Sequence, residues 1–238
     1  MKTWMWKIWA VAILPAFAVA AQDVLVYDNS TTLVGNTVLD FPNGQEVGDQ
    51  IYLANYAANP YLTGFSFEYH SPNTAFFNGT ITCDVRFYLN DGTPFNGYNT
   101  PGTVFYDTGP FDIGTPWSYF PGTNSCILDF TNADLYVDAL TNLNPYMQVP
   151  ATFTVSVMFT NLQGSDKVGL NDFEPASVGY NYGDYWYNNG GSWELLSFTN
   201  NPPIAFGMQF YATPEPATLC LAAVGAALLA GFARRRRQ

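Results

Sequence analysis

The chain is 238 residues long, with 8 Lys+Arg against 19 Asp+Glu and a formal net charge of −11. Six of the cations (Lys2, Lys7 and Arg234 to Arg237) lie near its ends. Residues 21–212 therefore keep two cations, Arg86 and Lys167, against the 19 carboxylates less Glu215, a balance of −16. Such a surface repels nucleic acid and anionic lipid, which makes both poor partners of this part, while about 190 residues suffice for one hydrophobic core.

Residues 1–20 read as a secretory signal peptide. Lys2 and Lys7 precede an apolar stretch from Ile8 to Phe17, and Ala18-Val19-Ala20 supplies small residues for cleavage before Ala21 or one residue later. The general secretion machinery is thus an expected partner. No Cys follows the cleavage region, so a lipoprotein anchor is not expected.

Between the two terminal segments short runs alternate apolar and polar residues, and no helical period occurs. Phe65, Phe67 and Tyr69 alternate with Ser66, Glu68 and His70; Ile81, Cys83, Val85, Phe87 and Leu89 alternate with polar neighbours. Phe153, Val155, Val157 and Phe159 repeat the pattern, as do Ile204, Phe206, Met208 and Phe210. Period two with aromatic and β-branched residues predicts half-buried antiparallel strands. Further strands are predicted at Val24–Tyr27, Gln50–Ala54, Thr103–Tyr106, Cys126–Phe130 and Trp193–Phe198, about nine in all. Asn78-Gly79, Asn90-Asp91-Gly92 and Asn189-Gly190-Gly191 supply turns between them. The expected fold is all-β: a two-sheet antiparallel sandwich, jelly-roll-like, over residues 21–212.

Chemistry-bearing residues are sparse. Cys83 and Cys126 both fall on the apolar parity of their segments, in a compartment where disulfides persist. They read either as a core bridge or as two buried thiols that never meet. The one histidine, His70, sits on a polar position, and no nucleophile elbow, His-Glu-x-x-His or Cys-x-x-Cys occurs. No catalytic residue, metal site or cofactor is assigned, and the expectation is a protein that is not an enzyme. Asn90-Asp91, Asp166, and Asn171-Asp172 with Glu174 could hold one structural calcium ion, although turn geometry alone accounts for such residues. Tyr182, Tyr185, Trp186, Tyr187 and Trp193 cluster among Asn and Asp, a pattern that suits stacking on sugar rings. The plainer reading is that the same rings plug one end of the sandwich, as aromatics do where bulk must be buried.

Residues 213–238 fall into three parts: Pro214-Glu215-Pro216, an apolar run over 217–233, and Arg234, Arg235, Arg236 and Arg237. The prolines cannot continue a strand ladder or a helix. Seventeen apolar residues span roughly 25 Å as a helix, at the short end of a transmembrane length, and the arginines stay cytoplasmic. This order resembles the PEP-CTERM sorting signal of Gram-negative exopolysaccharide producers. The resemblance implies an exosortase that cuts near Pro-Glu-Pro after transit through the inner membrane, and delivery to the cell surface or extracellular matrix. Shorter stretches, among them Tyr27-Asp28-Asn29 and Tyr106-Asp107-Thr108-Gly109-Pro110, resemble β-sandwich modules found upstream of such tails. The expected role is structural or adhesive, with non-catalytic binding of exopolysaccharide as the alternative.

Overall fold

Alternating side chains give each strand one face to bury, and the chain buries them by stacking two sheets. The computed structural model describes residues 23–54, 60–71, 77–113, 125–131, 147–197, 205–213 and 225, with 35–39, 125–131 and 197 by their backbone. The chain divides into two units, and the strands lie in Asp23–Thr213. In chain order they are β1 (Val24–Asp28), β2 (Leu33–Asp40), β3 (Glu46–Tyr52), β4 (Tyr61–His70) and β5 (Thr82–Tyr88). Then come β6 (Val104–Asp107), β7 (Phe111–Asp112), β8 (Ser125–Thr131), β9 (Met147–Gln148) and β10 (Thr152–Thr160). The last are β11 (Gly169–Phe173), β12 (Tyr180–Asn181), β13 (Asp184–Asn189), β14 (Ser192–Ser197) and β15 (Met208–Thr213).

The first sheet runs β1-β15-β4-β11-β2, with β8 and β9 also on β4; the second runs β14-β13-β3-β10-β5-β6, with β12 on β3 and β7 on β5. The pairings within both are antiparallel. The expected two-sheet antiparallel architecture is therefore present. Phe65 and Phe210, opposite each other on β4 and β15, stack at 5.5 Å and meet Phe87 and Phe153 of the second sheet at 5.0 and 5.7 Å. Each ring removed from water is worth about 1.5–3 kcal/mol, so this aromatic contact between sheets is a main source of cohesion.

Three longer strands went unpredicted. In β2, Gly35 and Asn36 interrupt the apolar pattern, and in β11 turn-forming residues fill the strand, with Asn171 and Asp172 both buried. In β13 the alternation is present but disguised, because its inward and outward positions are both aromatic. Its hairpin to β14 pairs Asn189 with Ser192 across Gly190 and Gly191, whose φ values of 63° and 101° suit a tight two-residue turn. The segments expected as signal peptide (1–20) and membrane helix (217–233, apart from Gly225) lie outside the described residues. Among the described residues no helix is long and apolar enough to cross a membrane.

Candidate functional site

Strand β15 carries the chain out of the sandwich. It is held on both sides, Ala212 opposite Val24 of β1 and Leu62 of β4, and Thr213 opposite Tyr61. Both residues are buried. Pro214, Glu215, Pro216 and Arg234 to Arg237 lie outside the described residues. The expected sorting motif thus begins where a strand in the body of a sheet ends.

Near β12 a second feature assembles. Pairing of β12 with β3 sets Tyr180 opposite Tyr52, and the two rings lie 5.6 Å apart. Tyr182 meets Tyr52 at 5.5 Å and Tyr180 at 5.4 Å, while Tyr98 reaches Tyr182 at 6.5 Å. Gln50 Nε2 donates to Tyr52 Oη (2.8 Å), which donates to Tyr182 Oη (3.0 Å). Burial, then the bond with Tyr182, pushes the Tyr52 phenol above its ordinary value. Gly179 makes the approach possible: its φ is 79°, and a Cβ there would sit 2.5 Å from the Tyr52 carbonyl. Tyr98 is 50% exposed, Tyr180 55% and Tyr182 36%, so their rings form an open surface.

Of the five aromatic residues expected to hold glycan, Tyr182 is on this surface. Tyr185 and Tyr187 pack with the core, Trp186 is buried on the opposite face of β13, and Trp193 stands edge-on to Tyr88 at 5.4 Å. The β-strand period separates them: successive residues of β13 point to opposite faces, so a cluster in sequence is divided in space. Sequence reasoning missed Tyr52 and Tyr98, which reach the cluster through strand pairing and the Phe95–Tyr98 turn.

A carboxylate network lies on the outer face of the second sheet. Register places Asn188, Glu46, Met158 and Asp84 in one row, with Trp186, Gly48, Ser156, Arg86 and Asp107 in the next. Glu46 Oε1 accepts from Tyr88 Oη (2.7 Å) and Ser156 Oγ (2.6 Å), and Oε2 accepts from Asn188 Nδ2 (2.9 Å). The Arg86 guanidinium bridges Glu46 (3.7 Å), Asp84 and Asp107 (3.0 Å). Burial pushes the Asp84 carboxyl up to about 6; Arg86 opposes this, and Asp107 and Glu46 add to it.

Cys83 is a buried free thiol, and burial pushes it well above its ordinary value. The bridge to Cys126 is not made. Backbone register sets Cys83 opposite Phe159 within the second sheet and Cys126 opposite Tyr69 within the first, and the Tyr69 and Phe159 rings lie 6.3 Å apart. His70 is half-buried beside β11, and desolvation holds it below its ordinary value. Of the expected calcium clusters, Asp91 caps Thr103 through backbone and hydroxyl (2.7 Å each), and Asp166 accepts from the Asn78 and Gln163 amides. Both have turn roles. Among the described residues, no three His, Cys, Asp or Glu side chains group closely enough to hold a metal ion.

An antiparallel two-sheet body whose last described strand is followed in sequence by Pro-Glu-Pro, an apolar run and four arginines has the organisation of a protein that carries a sorting tail. A family model, the PEP-CTERM protein-sorting motif, matches residues 212–237. That motif implies an exported protein, sorted and processed by an exosortase and destined for the surface. No curated protein and no solved structure matches the chain.

Proposed function

We propose that the chain is a structural or adhesive protein of the envelope or extracellular matrix of a Gram-negative bacterium. In this reading residues 1–20 are a signal peptide, and 217–233 form a helix that holds the protein in the inner membrane during transit. The jelly-roll-like body is then released at Pro214-Glu215-Pro216 into an exopolysaccharide or biofilm matrix. The observation that supports this is the pairing of the first described strand with the last, Val24 opposite Ala212. The chain thereby enters and leaves the body at one register position, beside both expected processing points, and cuts there leave the fifteen described strands intact.

Mass spectrometry of the mature C-terminus on surface-released protein tests the reading. A terminus at or before Pro216 supports it, whereas surface protein still ending in Arg237-Gln238 overturns it. Deleting the chain should then weaken cell cohesion in the matrix.

One observation favours a second role, non-catalytic binding of exopolysaccharide. The exposed rings of Tyr98, Tyr180 and Tyr182 offer faces for sugar stacking, and the Gln50 amide neighbours them through Tyr52. Replacing Tyr180 and Tyr182 together by Ala should abolish retention on an exopolysaccharide gel; unchanged retention by the folded variant sinks this role.

A further inference from the structure

Strand β15 leaves no slack where the chain exits the body. Ala212 and Thr213 are buried and paired with neighbouring strands, and Pro214 follows at once. From Thr213 to Ala217, the first residue of the apolar run, the chain takes four Cα steps, at most about 14 Å when fully extended. The run itself spans roughly 25 Å as a helix against a hydrocarbon core of about 30 Å, so it adds nothing to that reach. The headgroup layer takes up roughly 5–8 Å of it. With the run in the membrane, chain length alone keeps Thr213 within about 10 Å of the headgroups.

Antiparallel register shows what else lies at this end of the sandwich. Thr213 is opposite Tyr61, and Tyr61 is opposite Gln148 of β9. Three residues on, the Ala151 carbonyl accepts from the Leu53 amide, and Thr152 is opposite Tyr52, the last residue of β3. Tyr52 in turn is opposite Tyr180. Gly179, next to Tyr180, abuts the Val26 carbonyl, two residues along β1 from Val24, which is opposite Ala212. Thr154 is opposite Tyr88, and Tyr88 is opposite Val104. The tyrosine surface and the exit of the tail thus share one end.

The two ends differ in kind. Six large apolar or aromatic side chains are exposed among the described residues, and five of them, Val24, Tyr98, Val104, Tyr180 and Tyr182, lie at the exit end. The opposite end, where β3 begins and β10 finishes, exposes Asn43, Asn78, Asn161 and Gln163. A tyrosine has an apolar ring and a polar tip, the combination that suits the boundary between water and lipid. The balance of −16 in the body opposes contact with anionic lipid, so the partner that fits carries no net charge.

We propose that the exit end, through Tyr98, Tyr180, Tyr182, Val24 and Val104, rests on zwitterionic lipid headgroups while the tail is uncut, and holds Pro214-Glu215-Pro216 at the membrane surface. This rests on the reading of 217–233 as a helix that spans the membrane. The tether supplies the proximity, and the rings set which way the body lies. After the cut the tether is lost, and the acidic body is free to leave.

The full chain is reconstituted in phosphatidylcholine vesicles that contain a lipid with a photoreactive diazirine on its headgroup, and adducts are mapped by peptide mass spectrometry. They should fall at Tyr98, Tyr180, Tyr182 and residues 100–104, with none at Asn43, Asn161 or Gln163. Tyr180→Ser together with Tyr182→Ser should lose the adducts over 100–104 and keep those at Val24, which the tether alone holds near lipid. If the double variant does not fold, Tyr98→Ser, in a surface turn, carries the same expectation. Adducts shared alike by both ends, or adducts over 100–104 that survive in the folded variants, overturn the docking surface and leave the helix reading standing. A chain that alkaline carbonate strips from the vesicles overturns the helix reading, and this proposal with it.

Discussion

Glu46 and Asp84 on the outer face of the second sheet, and Asp49 and Asp172 between the sheets, are carboxylates withdrawn from water under opposite conditions. The outer pair meets a guanidinium, two hydroxyls and an amide. The inner pair meets two backbone N–H groups and no side-chain cation. With 18 carboxylates and two cations in the body, the protein cannot pair every buried acid with a base, and its one arginine serves the sheet face. The outer network is held by internal partners of opposite charge, whereas the inner carboxyls have no such partner and burial raises both above their ordinary range.

The largest effect should come from removing the shared cation. Arg86→Met keeps most of the aliphatic stem but leaves Glu46 and Asp84, with side chains 7% and 4% exposed, without their guanidinium. Removing one partner of a buried ion pair costs about 3–5 kcal/mol, so urea unfolding at neutral pH should show a loss of roughly 3 kcal/mol. Acidification below about 6 should narrow the deficit, since Asp84 takes a proton there. An unchanged midpoint at neutral pH would mean that the outer carboxylates are not held by charge, and the contrast between the two regions would fail.

Both regions bear on what the sequence could reveal. Alternation located β4, β5, β10 and β15 because their inward residues are apolar and most outward ones polar. It also placed Asp49 between Val47 and Ile51 at an inward position, and a carboxylate on the core parity of a strand was a readable sign of unusual chemistry. The sign was missed because polar residues were assumed to mark the solvent face. Asp172 had no comparable pattern, since β11 is buried on both faces. The tyrosine surface depends on the pairing of β3 with β12, a long-range register that local spacing cannot specify. The sorting motif, by contrast, was legible, because its three parts follow one another along the chain and need no long-range register.

The second effect isolates the inner pair. The Asp172 carboxyl is raised from its ordinary value to about 6, chiefly by burial, with the Ala205 amide opposing and Glu174 adding to the rise. Raised values favour the protonated folded state. The associated stability is therefore complete below about pH 4 and lost as pH rises through about 6. The full chain should lose about 2 kcal/mol on this account between pH 4 and pH 7. Asp172→Asn should remove this share of the slope and leave that of Asp49, which burial also raises. The acid limb has a separate origin. Asp28 is held below its ordinary value by hydrogen bonds from Ser30, Ser177 and Gln209, which outweigh its partial burial. Its contribution is present at higher pH and lost as pH falls, so it should survive the substitution. A parallel shift of the whole profile in Asp172→Asn would remove the basis for treating the inner carboxylates as a unit.

The smallest effect tests whether the outer network is redundant. Tyr88→Phe deletes the 2.7 Å hydrogen bond to Glu46 Oε1 while keeping the ring that meets Trp193. Hydrogen bonds to charged groups contribute about 1.5–3 kcal/mol when nothing replaces them. Here Ser156 donates to the same oxygen at 2.6 Å, and Asn188 and Arg86 serve the other. Denaturant titration should therefore show a loss near 1 kcal/mol, with the slope of unfolding unchanged. A loss as large as that of Arg86→Met would show that the phenol and the guanidinium act as one coupled unit, and the Tyr88/Arg86 double variant would then cost no more than either single change. Near-additive losses would show instead that hydroxyl, amide and cation each hold Glu46 separately, the redundancy that the inner pair lacks.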